Sequence, residues 1–162
     1  MADPGRTTRH RNGVVRVFVD ANVPMYAVGA AHPLKQPCIE FLEAIARGDI
    51  AALTDAEVLQ EILHRYSALG QRERAVEVVR LFVQVVPIVL PITLDDVERT
   101  LDVHERYAGL QARDSLHVAV MINNEIQRIL SADQHFDDVD EVQRFDPALW
   151  PELGNAPSEW RL

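Results

Sequence analysis

VVRVFV, residues 14–19, is a β-branched apolar run with Gly13 before it and Asp20-Ala21-Asn22 after it. Such a run between turn formers reads as a strand. Shorter runs of the same kind stand at 50–53, 88–90, 128–131 and 142–145. Between them the apolar residues recur at helical spacing. Leu34, Cys38, Phe41, Leu42 and Ile45 mark a helix over 33–47, and Val58, Leu59, Ile62, Leu63, Tyr66 and Leu69 mark another over 56–69. A further helix covers 72–85. Thr93 suits the N-cap of the next, with Leu94, Val97, Leu101 and Leu110 along one face. RDSLHVAVMIN at 113–123 is apolar almost all round after its first turn, as a helix packed on several sides would be. Strands alternating with helices predict an α/β fold around a mostly parallel, five-stranded sheet. In such sheets function collects at the carboxyl ends of the strands.

Composition narrows the class. The chain has 162 residues, 48% of them apolar and 25% charged, which is the balance of one globular domain with a proper core. The expected organisation is a basic arm over 1–12, a domain over 13–149 and a tail over 150–162. The longest apolar stretch, 85–92, is broken by Pro87 and Pro91, far short of the roughly 20 residues a membrane span needs. No apolar leader follows the polar first dozen residues, so a cytoplasmic location with no membrane partner is expected. Cys38 is the one cysteine, which excludes an internal disulfide and an all-cysteine metal site. A net charge of −9 argues against gripping nucleic acid by bulk attraction. It leaves room for an enzyme that meets nucleic acid through a bound cation and a local basic patch.

Four acids fall where this architecture puts function. Asp20 ends the first strand, Glu61 lies in the helix after the second, Asp114 opens the apolar helix, and Asp133 follows the strand at 128–131. Converging at one sheet edge, they would raise one another's pKa unless a cation intervened. Mg²⁺ prefers oxygen ligands, so a cluster lacking His and Cys suits it. Each acid also has a structural reading. Asp20 can cap the next helix, Asp114 can be a first-turn acid favoured by the helix dipole, and Asp133 can make an Asx turn. Thr54 and Glu57 have capping-box spacing, which gives Glu57 a structural role, whereas Glu61 sits at the edge of the apolar stripe and is the better site candidate. His117, three residues after Asp114, reads as a packed, hydrogen-bonded core residue, and His135 lies in an exposed turn. No HExxH, Gly-rich dinucleotide or P-loop pattern is present.

VFVDANV at 17–23, TDAEVLQEIL at 54–63, ARDSLHVAVM at 112–121 and ILSADQHFDDV at 129–139 resemble, in order and spacing, the four acidic motifs of PIN-domain proteins. Within that superfamily the chain is most similar to the VapC-type toxin ribonucleases of toxin–antitoxin pairs. The resemblance implies a three-layer α/β/α fold over 13–149. It implies Asp20, Glu61, Asp114 and Asp133 as catalytic and metal-holding residues, with one or two Mg²⁺ or Mn²⁺ ions. It implies endonucleolytic cleavage of RNA, a homodimer and an inhibitory VapB-like antitoxin. Thr54 matches a Ser/Thr before the glutamate helix, and Asp137 an extra acid in some members. Arg65, Arg72, Arg74 and Arg80 then offer either a basic strip for the RNA backbone or a solvated helix face. Two rival readings stand beside this one. A non-catalytic PIN-like binding module would be expected to lose some of the acids. A phosphatase of the haloacid-dehalogenase type needs a second Asp where this chain has Asn22.

Overall fold

The computed structural model describes residues 16–150. The arm expected over 1–12, and the tail expected over 150–162 apart from Trp150, lie outside the described residues. Five parallel strands form one sheet: β1 (Arg16–Val19), β2 (Ala51–Asp55), β3 (Val89–Leu90), β4 (Arg128–Leu130) and β5 (Gln143–Phe145). Six helices cover it in a three-layer α/β/α arrangement: α1 (Asn22–Val28), α2 (Lys35–Ala46), α3 (Ala56–Ala68), α4 (Arg72–Val85), α5 (Leu94–Arg106) and α6 (Ala112–Asn123). Short 3-10 turns follow at Gln134–Asp138 and Pro147–Leu149.

The strand order is β3-β2-β1-β4-β5. The chain therefore steps away from β1 in one direction through β2 and β3, then returns to the other side of β1 to lay down β4 and β5. β1 and β4 are neighbours whose connections leave in opposite senses, and the crevice beyond their carboxyl ends is where α/β folds place ligands. Val17, Phe18 and Val19 are wholly buried, with Phe18 in register with Leu53 on one side and Ile129 on the other. A central parallel strand covered on both faces needs this continuous apolar run. α2 and α3 stop at Gly48 (φ 81°) and Gly70 (φ 73°), where 6→1 bonds from Asp49 N to Ala44 O and from Gln71 N to Tyr66 O close the last turns.

Two local expectations are corrected. α3 is capped by Asp55, whose Oδ1 accepts from Val58 N at 2.9 Å, so Thr54 and Glu57 do not form a capping box. Thr54 is the penultimate residue of β2, and its hydroxyl donates instead to Val19 O at 3.0 Å. The second correction concerns α5. Leu94 and Leu101 are 71% and 63% exposed, and Val97 is also exposed, whereas Asp96 and Val103 face inward. Asp96 closes a capping box with Thr93 and accepts from Asn123 Nδ2 of α6 at 2.8 Å. These bonds turn the acidic edge of α5 toward α6 and the leucine face outward. Leu110 is buried, but it lies beyond the end of the helix at Arg106.

Because Thr93 is half of a reciprocal box whose Asp96 also bonds Asn123 of α6, Thr93→Ala is expected to cost about 1 kcal/mol. Urea unfolding checks this as a lower midpoint at an unchanged slope.

Candidate active site

Asp20 stands at the carboxyl end of β1, buried, with its backbone N–H on Leu130 O of β4. Its Oδ1 accepts from Ala21 N at 2.7 Å, and its Oδ2 accepts from Asn22 Nδ2 at 2.8 Å and from the Ser131 hydroxyl. It is not a side-chain cap of α1, whose N-cap is Ala21 with no side-chain bond. Ser131 Oγ in turn accepts from Asn22 Nδ2 and Asp133 N, both at 3.0 Å, and Asn22 Oδ1 accepts from Ala132 N at 3.2 Å. The ends of β1 and β4 are thus stitched by side chains across the switch point. Burial pushes the Asp20 carboxyl above its ordinary pKa, aided by the charge of Glu61, while His117 and the Ser131 hydroxyl work against the rise.

Glu61 projects from the second turn of α3 and is buried, as its place at the edge of the apolar stripe predicts. Its Oε1 lies 2.9 Å from Arg65 Nε and 3.5 Å from Arg113 Nη1, and its Oε2 lies 3.9 Å from His117 Nε2. Burial would raise its pKa, but His117, Arg65 and Arg113 together hold it below the ordinary value. Glu57 is half-buried and engaged by Arg113 Nε at 2.9 Å.

His117 is packed and hydrogen-bonded as expected, with Nδ1 2.7 Å from Asp55 Oδ2 and its ring tilted against Phe18. It is also part of the acidic centre. Nε2 is buried, has no hydrogen-bond partner and points toward Glu61. Burial alone would lower its pKa, but the Asp55 hydrogen bond and the carboxylates of Glu61 and Asp20 raise it to about 10. One donor atom each from Asp20, Glu61 and His117 lie within 4.8 Å of one another. The cluster expected to lack histidine therefore contains one. The Asp114–His117 spacing hinted at it, but its partner Asp55 is 62 residues away and invisible to local spacing.

Asp114, in the first turn of α6, is half-buried. Burial, then the charges of Asp20 and Asp133, and finally that of Glu61, push its pKa up to about 6 against the pull of His117. The charges of the other three sequence-selected acids therefore all reach Asp114. Asp133 makes the Asx turn as well, accepting from His135 N at 2.9 Å, so the structural reading and membership of the cluster coexist. Asp137 is held by both Arg144 Nε and Nη2 at 2.8 Å, which is a structural pair. Of the arginines read as either a basic strip or a solvated face, Arg65 is bound to Glu61 and Arg74 to Glu77 and Val28 O.

The donor set fits a divalent cation. Two buried carboxylates supply hard oxygen, and the imidazole of His117, oriented by Asp55, adds its second nitrogen once Nε2 has lost its proton. The charges also set a pH dependence. Asp114 holds its proton more tightly folded than unfolded, so its contribution to stability falls as pH rises from about 4 to 6 and stays low above. Asp114→Asn cannot ionise. In EDTA it is expected to be more stable than the parent by about 1 kcal/mol at pH 7.5, after discounting for solvent screening of a half-buried group, with the gap closing toward pH 4.5. Urea melts across that range check this, and a constant gap would separate Asp114 from the cluster.

The PIN domain model matches residues 17–142. Ribonuclease VapC13 of Mycobacterium tuberculosis is 45% identical over 128 residues, covering 79% of this chain and 98% of that protein. Ribonuclease VapC23 of the same species is 38% identical over 117 residues, covering 72% and 92%. Among solved structures, VapC20 of M. tuberculosis, described as a Sarcin-Ricin loop cleaving toxin, superposes with a TM-score of 0.64 at 21% identity over 78% of this chain and 98% of its own. VapBC2 of Rickettsia felis, bound to a promoter DNA fragment, gives 0.65 at 12% identity over 82% and 98%, a likeness of fold. With the family model running from β1 to the threshold of β5, and a relative at 45% identity matched almost end to end, the chain belongs to the PIN-domain family.

Proposed function

We propose that this chain is a metal-dependent endoribonuclease and the toxin of a toxin–antitoxin pair, acting in the cytoplasm. The observation that carries the reading is the confinement of Asp20, Glu61 and His117 donors within 4.8 Å, with Asp114 lifted to about 6 beside them. So much negative charge at one sheet edge is a standing cost unless a cation offsets it. The curated relatives named as ribonucleases support RNA as the substrate.

Asp20 and Glu61 would hold Mg²⁺ or Mn²⁺, with His117 joining once its Nε2 is free of a proton, and Asp114 and Asp133 contacting the ion directly or through water. The ion supplies a Lewis acid that lowers the pKa of a water and offsets charge on the scissile phosphate. Asp114, half-buried and raised to about 6, is placed to accept the proton of the attacking water. Ser131 and Asn22 fix the Asp20 carboxylate, so its orientation is set before substrate arrives. Arg65 and Arg113, already at Glu61, would offer cations to the incoming RNA backbone. Asn22 is committed to Asp20 and Ser131, in a position where the phosphatase reading needs a second carboxylate.

Two partners belong to this reading. The R. felis VapBC2 complex supports a VapB-like antitoxin. The outward face of Leu94, Val97 and Leu101 suits a homodimer contact. Among the described residues no helix is long and apolar enough to cross a membrane.

Purified protein is expected to cut a mixed RNA pool with Mg²⁺ or Mn²⁺ and to stop on addition of EDTA. Asp114→Asn should lower the rate at least about 100-fold, within the range assigned to positioned proton transfer, while circular dichroism stays unchanged. Full cleavage by that folded variant would sink the assignment.

A further inference from the structure

Beside the acidic centre lies a pocket of about 340 Å³, at the lower end of the size range of small-molecule sites. Its walls include Asn22, Met25, Tyr26, Gly29, His32 and Arg65. Two of these walls are shared with the centre, because Asn22 donates to Asp20 and Arg65 Nε contacts Glu61 at 2.9 Å. Whatever fills this pocket therefore sits one residue away from the phosphate-cleaving carboxylates.

The pocket is built around a pair of rings. Tyr26 and His32 stack with centroids 4.5 Å apart and planes 27° from parallel. The loop between α1 and α2 is pinned to keep them so. Leu34 N donates to His32 Nδ1 at 3.1 Å, Lys35 N donates to His32 O at 3.0 Å, and Lys35 Nζ, from the single lysine of the chain, donates to Gly29 O at 2.6 Å. Gly29 lets the loop turn against α1, since a Cβ there would lie 2.7 Å from Met25 O. With Nδ1 accepting from Leu34, the neutral imidazole of His32 carries its proton on Nε2, a donor free for a ligand. His32 is exposed and its stacking partner Tyr26 is half-buried, so the platform has a stiff base and an open edge. Arg65 brings a guanidinium that is 57% exposed.

A flat aromatic platform, one free N–H donor and an arginine, next to the place where a phosphodiester would be cut, form a set that recognises an unpaired nucleobase. We propose that the Tyr26–His32 pocket is a nucleobase subsite that seats a base flanking the scissile phosphate of single-stranded RNA. The proposal rests on the ribonuclease reading above. It adds that selection among RNA sites begins with one extruded base held on these rings.

The test uses the full chain and a labelled, unstructured oligoribonucleotide that carries its preferred cut, made intact and with an abasic site at each position near the cut. His32→Ala is expected to lower kcat/KM about 5- to 100-fold, the range for losing one stacked base. One abasic position should cause a similar loss on the parent. The two losses should overlap when combined, because they remove the same contact. His32→Phe should restore most of the rate, and Tyr26→Leu should repeat the loss. Parental rates for His32→Ala and Tyr26→Leu, or losses that simply multiply, would overturn the subsite and leave the nuclease standing. The same variants cutting RNA normally but weakening capture by a co-expressed antitoxin would overturn it in favour of a protein segment in the pocket. If the parent cuts no RNA, the ribonuclease reading fails by itself. Titration with uridine and adenosine monophosphates then decides the subsite. Ring-proton shifts of Tyr26 and His32 in the millimolar range support it, and their absence overturns it.

Discussion

Asp55 divides its two oxygens between two helices. Oδ1 accepts from Val58 N and sets the start of α3, and Oδ2 holds Nδ1 of His117 on α6. Glu61 rides on the helix that the first bond positions, and Asp114 and His117 ride on the helix that the second one tethers. A single buried carboxylate at the end of β2 thus fixes the mutual placement of three of the groups in the acidic centre. Neither bond is replaceable by water, because Asp55 and His117 are both wholly buried. A strand-end residue with no apparent chemistry is the hinge pin of the site.

The electrostatics follow from that placement. β1 and β4 deliver Asp20 and Asp133 to the switch point, α3 delivers Glu61, and α6 delivers Asp114. Like charges at close range would splay the edge of the sheet, and the protein counters them from behind. His117 lies under the cluster with its pKa raised to about 10, while Arg65 and Arg113 grip Glu61 from the side. A divalent ion entering from the front would take over part of this role. The cationic and hydrogen-bonding groups packed behind and beside the cluster therefore offset part of its charge within the fold itself.

The fold was legible because its cues are local. A β-branched run at 14–19, helical stripes at 33–47 and 56–69, and Thr93 ahead of an acidic turn each depend on neighbours within a few residues. The positions of the four acids were legible because strand ends and helix starts are themselves local features. What stayed hidden depends on distance along the chain. The Asp55–His117 bond spans 62 residues, and the contact of Asn123 with Asp96, which rolls the leucines of α5 outward, spans 27. The capping error at Thr54 has a different origin. Asp55 and Thr54 are both good caps by residue type, and only the extent of β2 decides between them.

The strand order also has a consequence in time. The bond from Ser131 to Asp20 joins residues 111 positions apart, and the partner of β1 on that side, β4, is made near the end of the domain. A growing chain displays Asp20 early, with its neighbours Ala21 and Asn22 to hold it but without the Ser131 hydroxyl. β1 and β2 can pair, and α3 can bring Glu61 nearby, yet α6 and the Ser131 hydroxyl are still to come. Pairing across such a long loop pays its closure entropy before the contact rewards it, which slows sheets of this order relative to local ones. A chain stopped short of β4 therefore has a sheet but no centre, and competence arises only once the last third of the domain has been synthesised and folded back onto the first.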